Sequence, residues 1–274
     1  MLRIGRIAYA NCTPIFHGLQ ELGPGEEFQF IGGVPSRLNA LLAAGEIDLC
    51  PSSSIEYALR PDRYLILPEL SISSSGPVGS VLLFSRLPVE ELHGQTILLS
   101  SESDTSVNLL RILMKNRYNC TCRFSVSNLP LESAVQDAPA MLLIGDAALR
   151  ASIAGPGLLV YDLGELWHDW TGLPFVFALW LCSRKAAAGR PDEVAGLARN
   201  LVSAKERAGT ELESIAQCSP EVQWMGRERL VAYWRDNISY DLDTRHLEGL
   251  TLFYRYCVEL GLLPGEPVLH FLEI

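Results

Sequence analysis

The stretch Leu87-Pro88-Val89-Glu90-Glu91-Leu92-His93-Gly94 decides how this chain is organised. A proline, two adjacent glutamates and a closing glycine mark it as a turn-rich break. Before it, strand-like apolar segments at 3–9, 28–31, 47–50, 64–70 and 79–85 alternate with helical patterns at 14–20, 35–44 and 54–59. After it the rhythm restarts, with strands at 96–99, 122–126 and 141–144 and helices at 106–117 and 131–138. A long apolar strand follows at 175–182, and from 192 to 262 the pattern is helical nearly throughout. Alternating strands and helices predict an α/β fold with mostly parallel sheets. The restart predicts a second sheet, and the C-terminal helices are expected to pack back on the first. The expected architecture is two lobes joined near 84–94 and 175–183, lobe 1 being residues 1–86 plus 181–274 and lobe 2 residues 87–180. Ligands in such folds sit in the crevice at the carboxyl ends of the strands.

Composition narrows the function. The 274 residues are 48 % hydrophobic and 20 % charged, enough for a sizeable core. The formal net charge of −10, without a basic run, argues against nucleic-acid binding. The longest apolar run, 173–182, contains Pro174 and is far short of a membrane span. Met1-Leu2-Arg3-Ile4-Gly5-Arg6-Ile7 reads as a first strand and not as a leader. The seven cysteines are odd in number and scattered through apolar runs, which fits buried free thiols in a reducing compartment. A cytoplasmic protein is expected, and monomer and homodimer both stay open.

Three loop-to-helix junctions carry the candidate binding groups. Ser52-Ser53-Ser54 follows one strand; Ser100-Ser101-Glu102-Ser103-Asp104-Thr105-Ser106 follows another, in the other lobe. Both place hydroxyls and free N–H groups at a helix start, where the helix dipole favours anions without any arginine. The same residues are also the preferred helix caps. Their positions in opposite lobes predict a grip on a ligand with two carboxylates. At the third junction, Ile144-Gly145-Asp146, the aspartate either positions a substrate hydroxyl or caps the helix. Asn11 follows the first strand directly and can both donate and accept hydrogen bonds. Ser80 closes the serine-rich stretch 71–80. The five histidines share no ligand spacing, and Cys120-x-Cys122 has no matching pair, so no metal site is expected. No Gly-x-Gly-x-x-Gly, phosphate loop or Gly-x-Ser-x-Gly occurs.

At these residues the chain resembles the chorismate dehydratases that open the futalosine route to menaquinone. The likeness rests on Arg6-Ile7-Ala8-Tyr9-Ala10-Asn11 with Thr13-Pro14, on Gly33-Val34-Pro35-Ser36-Arg37-Leu38-Asn39, and on Gly45-Glu46-Ile47-Asp48-Leu49 with Pro51-Ser52-Ser53-Ser54-Ile55-Glu56-Tyr57. It continues through Ser74-Ser75-Gly76-Pro77-Val78-Gly79-Ser80-Val81, Ser103-x-Thr105-Ser106-x-x-Leu109-Leu110 and Ile144-Gly145-Asp146-Ala147-Ala148-Leu149. The resemblance implies a type II periplasmic-binding-protein-like fold used as a cytoplasmic hydro-lyase. It implies that chorismate loses water to give 3-[(1-carboxyvinyl)oxy]benzoate without a cofactor. Asn11 and Asp146 would be the catalytic candidates, and Ser54, Ser80, Ser103, Thr105 and Ser106 would hold the substrate. The rivals are a non-catalytic carboxylate-binding protein of the same fold and the 1,4-dihydroxy-6-naphthoate synthase of the same pathway. That synthase family opens on a first strand richer in Cys, Pro and Asp than the one here.

Overall fold

The computed structural model describes residues 1–21, 28–102 and 104–274. The first half runs β1 (Leu2–Ile7), a 3-10 turn (Ala10–Cys12), α1 (Thr13–Glu21), β2 (Phe28–Gly33), α2 (Pro35–Ala44), β3 (Leu49–Ser53), α3 (Ser54–Leu59), β4 (Tyr64–Ser74) and β5 (Val81–Ser85). A second series follows: β6 (Thr96–Leu99), α4 (Asp104–Ile112), β7 (Arg123–Val126), α5 (Leu131–Asp137), β8 (Ala140–Ile144), α6 (Gly145–Ala154), β9 (Leu159–Asp162) and α7 (Leu163–Thr171). The chain closes with β10 (Phe175–Ser183), α8 (Arg184–Gly189), α9 (Pro191–Cys218), α10 (Val222–Met225), α11 (Arg227–Ala232) and α12 (Thr244–Glu259).

These strands form two five-stranded sheets, ordered β2-β1-β3-β10-β4 and β7-β6-β8-β5-β9. The two-lobed α/β architecture is therefore as expected, but the sheets are mixed. Pairs β1–β2, β1–β3, β6–β7 and β6–β8 are parallel, whereas β10 and β5 run antiparallel to both of their neighbours. The expected division at 86 and 181 also assigns these two strands the wrong way round: β5 hydrogen-bonds in the second sheet and β10 in the first. The reason is physical. A strand that follows a crossing takes its partners in the lobe it enters, and it enters against the direction of the βα units already there. The break at 87–94 is a 3-10 turn (Val89–Leu92) inside the second lobe, and the crossings lie at 75–80 and 172–174.

Burial explains why these sequences take these places. In β3, β5 and β8 every residue is buried, and in β10 all but Ser183, as strands covered on both faces must be. Edge strands β7 and β9 are mostly exposed. The outer edge of β4 is closed by other chain segments: Ile66 N–H donates to the His270 carbonyl, and Ser73 and Ser239 exchange backbone bonds. Helix α9 lies on α1, where a Cβ on Gly18 would stand 3.0 Å from the Ala204 Cβ, so the small pair sets the helix separation. Among the described residues no helix is long and apolar enough to cross a membrane.

Both crossings are tied down. Asp162 caps α7 and accepts from four backbone N–H groups: Gly164 at 2.9 Å, Glu165 at 3.2 Å, Val78 at 3.0 Å and Gly79 at 2.6 Å. Burial pushes this carboxyl above the usual range, and the four donors oppose the shift. At the second crossing the Trp167 indole donates to the Pro174 carbonyl at 3.3 Å. Trp167 is fully buried in an aromatic cluster with Trp170, Phe175 and Tyr256. It packs behind the crossing.

Candidate active site

A cavity lies between the sheets, about 520 Å³ of empty space counting its mouth. Its walls come from the carboxyl ends of strands in both lobes, where an α/β crevice is expected. Ile7, Ile72, Val78, Val81, Ile144 and Phe177 make most of the surface apolar. The polar lining includes Tyr9, Asn11, Ser53, Ser80 and Ser106, and among the described residues no lysine or arginine lines it. Three helices of nine or ten residues begin at the wall: α2 with Pro35, α4 with Ser106 in its first turn, and α6 with Gly145. Their N-terminal dipoles supply positive potential to a largely apolar space, where it is less screened than in bulk water.

Asn11 is held firmly and left unused. It sits in the 3-10 turn after β1, its carbonyl accepting from the Tyr240 hydroxyl at 2.8 Å. One residue earlier, the Ala10 carbonyl accepts from the Trp234 indole at 2.7 Å. The side-chain oxygen of Asn11 is buried and has no hydrogen-bond partner. An unsatisfied buried acceptor costs about 1–3 kcal/mol, so a donor is expected to arrive there. Ser80, at the first crossing, takes a hydrogen bond from Tyr233 at 2.9 Å. The C-terminal aromatics Tyr233, Trp234 and Tyr240 thus position both groups. The sequence marks them only as apolar core residues, because nothing local ties them to residues more than 150 positions away.

The other candidates join the lobes. Ser54 Oγ lies 3.3 Å from Thr105 Oγ1, which also accepts from the Ile55 N–H at 3.1 Å. The expectation that these hydroxyls face each other across a ligand is not what the geometry shows. They touch each other, while Ser53 and Ser106 beside them line the cavity. Asp146 accepts from the Ala10 N–H of the other lobe at 2.9 Å, and Gly145 rather than Asp146 forms the wall. Burial pushes the Asp146 carboxyl above the usual range, with Glu221 and Glu102 nearby adding to it and the Ala10 N–H opposing. Ser103 lies outside the described residues.

A further bridge was not legible in the sequence. The Tyr9 hydroxyl donates to Glu102 across the cleft at 2.7 Å. Burial, and then that hydrogen bond, raise the phenol far above its ordinary range, so it stays a donor. The Tyr9 ring lies on Gly145, whose φ of +58° and lack of a side chain both suit the spot. A Cβ there would stand 2.8 Å from the ring. Three hydrogen-bonded contacts among the described residues, Tyr9–Glu102, Ala10–Asp146 and Thr105 with Ser54 and Ile55, therefore hold the lobes closed beside the cavity.

Comparison with known proteins agrees with this geometry. A family model described as menaquinone biosynthesis matches residues 2–259. A chorismate dehydratase of Thermus thermophilus is 33 % identical over 273 residues, covering 91 % of this chain and 93 % of the relative. Another from Campylobacter jejuni is 31 % identical over 187 residues, 67 % of this chain and 68 % of the relative. Among solved structures, an Archaeoglobus fulgidus protein superposes with a TM-score of 0.76 at 19 % identity, covering 96 % of this chain and 98 % of that one. The alkanesulfonate-binding protein of Xanthomonas axonopodis does so at 0.68 and 19 %, covering 98 % and 96 %. The fold is thus the periplasmic-binding-protein-like one that the family resemblance implied, and the chain belongs to the menaquinone-biosynthesis family.

Proposed function

We propose that this protein is a chorismate dehydratase, a hydro-lyase that removes water from chorismate to give 3-[(1-carboxyvinyl)oxy]benzoate in the futalosine route, in the cytoplasm. The observation that carries the reading is the unpartnered side-chain oxygen of Asn11 in a closed inter-lobe cavity. Chorismate brings the missing donor, its C4 hydroxyl. It also brings two carboxylates, which suit a cavity where helix starts replace basic side chains. One carboxylate takes the first turn of α4 at Ser106, beside Thr105. The other takes the start of α6 at Gly145, beside Ser80. Asp146 and the Ser54–Thr105 pair hold the two lobes at the spacing this requires.

The elimination takes a proton from ring C3 and hydroxide from C4, which together are one water, and leaves an aromatic ring. Aromatisation supplies the driving force. The enolpyruvyl carboxylate of the substrate serves as the base, held close to the C3 proton by the closed lobes. Such positioning can account for about 7–11 kcal/mol of a barrier. Asn11 binds the C4 hydroxyl through its oxygen, and its amide N–H stabilises the charge that develops as the hydroxyl leaves. The two lobes act as units that hinge at 75–80 and 172–174. Purified protein should convert chorismate to a product with a benzenoid absorption spectrum. Asn11→Ala should lower kcat about 100-fold while KM changes little. Turnover that survives this substitution would refute the role of Asn11.

A further inference from the structure

A second pocket lies at the far end of the first lobe from the cleft. Strand β3 runs from Leu49 beside this pocket to Ser53 in the cleft wall, and β10 runs from Phe177 in the cleft to Ser183 in the pocket. The pocket holds about 1270 Å³ of empty space counting its mouth. Five cationic side chains line it, Arg3, Arg63, Arg184, Lys185 and Arg190, against two carboxylates, Asp48 and Asp62. This is a local excess of positive charge on a chain of formal net charge −10. Arg3 and Arg190 share Asp48, at 2.8 and 2.9 Å. Among the described residues, Arg63, Arg184 and Lys185 have no carboxylate at ion-pair distance. The Nε of Arg184 is buried and has no hydrogen-bond acceptor. A buried guanidinium donor left unpaired calls for an incoming oxygen.

We propose that this pocket is a binding site for a free multivalent oxyanion of the pyrophosphate class, separate from the dehydratase cleft. An oxygen of the anion accepts from Arg184 Nε, and Lys185 and Arg63 neutralise the remaining charge from the rim. Guanidinium forks suit phosphoryl oxygens and make charge-assisted bonds to them. The Arg3–Asp48–Arg190 group forms the floor, with its charges already satisfied.

The test is thermal unfolding of the full chain with inorganic pyrophosphate, against sodium chloride at matched ionic strength. A saturable rise in Tm of about 3 °C or more is expected with pyrophosphate alone. Arg184→Gln should weaken the apparent affinity at least about tenfold. Arg63 and Lys185 are exposed, so the double variant Arg63→Ala/Lys185→Ala should fold whether or not Arg184→Gln does, and it should show the same weakening. Its chorismate turnover without pyrophosphate should equal that of the parent. An equal rise with sodium chloride, or an affinity unchanged in the double variant, would overturn the proposal. Sedimentation with phosphatidylglycerol vesicles without any pyrophosphate response would overturn the assignment to a free anion.

Discussion

Closing the lobes through Tyr9 predicts that Gly145→Ala cripples turnover for a reason that a matched control can isolate. Gly145 opens α6 at φ +58°, and Gly155 ends the same helix at φ +64°. Alanine in the left-handed region costs roughly 1–2 kcal/mol. The stiffer unfolded chain offsets about 0.4–1 kcal/mol of that. Both variants should therefore lose about 1 kcal/mol of stability, or roughly 2–4 °C in Tm. They differ in their surroundings. A Cβ at Gly155 meets nothing within 4 Å, whereas at Gly145 it stands 2.8, 2.9 and 3.0 Å from three atoms of the Tyr9 ring. Carbon atoms prefer about 3.5–4.0 Å, so the ring must retreat by roughly 0.7 Å. That stretches the 2.7 Å bond from Tyr9 to Glu102 to about 3.4 Å, beyond the roughly 2.5–3.0 Å of a normal O–H···O bond, and weakens it. A bond to a charged group contributes about 1.5–3 kcal/mol. Full loss of the bond would lower the closed-to-open equilibrium constant by about 10–150-fold, so a weakened bond should lower kcat/KM for chorismate by up to that factor. The assay is steady-state kinetics and thermal unfolding on both variants. Equal turnover in Gly145→Ala and Gly155→Ala would show that the Tyr9 contact does not govern closure.

Other consequences can be checked alongside. Tyr240→Phe removes the hydroxyl that fixes the Asn11 carbonyl and should lower kcat about tenfold while costing about 1 kcal/mol of stability, so kinetics and unfolding must separate. Asp162→Ala strands backbone N–H groups of the first crossing and of α7, and should lower Tm by at least about 6 °C in a melting scan. Asp48 combines burial, which raises its pKa, with hydrogen bonds from Arg3 and Arg190 that outweigh it and bring it to about 2 from 3.8. A depressed carboxylate contributes stability that is fully present above the unfolded value and is lost as pH falls through the folded one. Melting measured against pH should therefore steepen between about pH 4 and pH 2, and Asp48→Asn should flatten that part of the curve.

The sequence made the architecture legible because strand, helix and break each leave a local mark. The apolar run at 175–182 announces a buried strand, and Pro88 with Gly94 announces a turn. Which sheet a strand joins is not a local property, so a local reading places β5 and β10 in the wrong lobes and misses that the sheets are mixed. The site was legible to the same depth. Asn11, Ser80 and Ser106 line the cavity from the turn after β1, the first crossing and the first turn of α4, the loop and helix-start positions that the sequence pattern marks. Ser54, Thr105 and Asp146 carry equally good cap signatures but spend their hydrogen bonds between the lobes. The Tyr9–Glu102 bridge and the support of Asn11 by Tyr240 connect residues 93 and 229 positions apart. No spacing rule reaches that far.

The most direct test of the account is a time course of purified protein with chorismate, the products separated and weighed by mass spectrometry. Chorismate should disappear with first-order dependence on enzyme, replaced by one product lighter by the mass of a single water. Chorismate that stays unchanged, in protein shown to be folded, would contradict it.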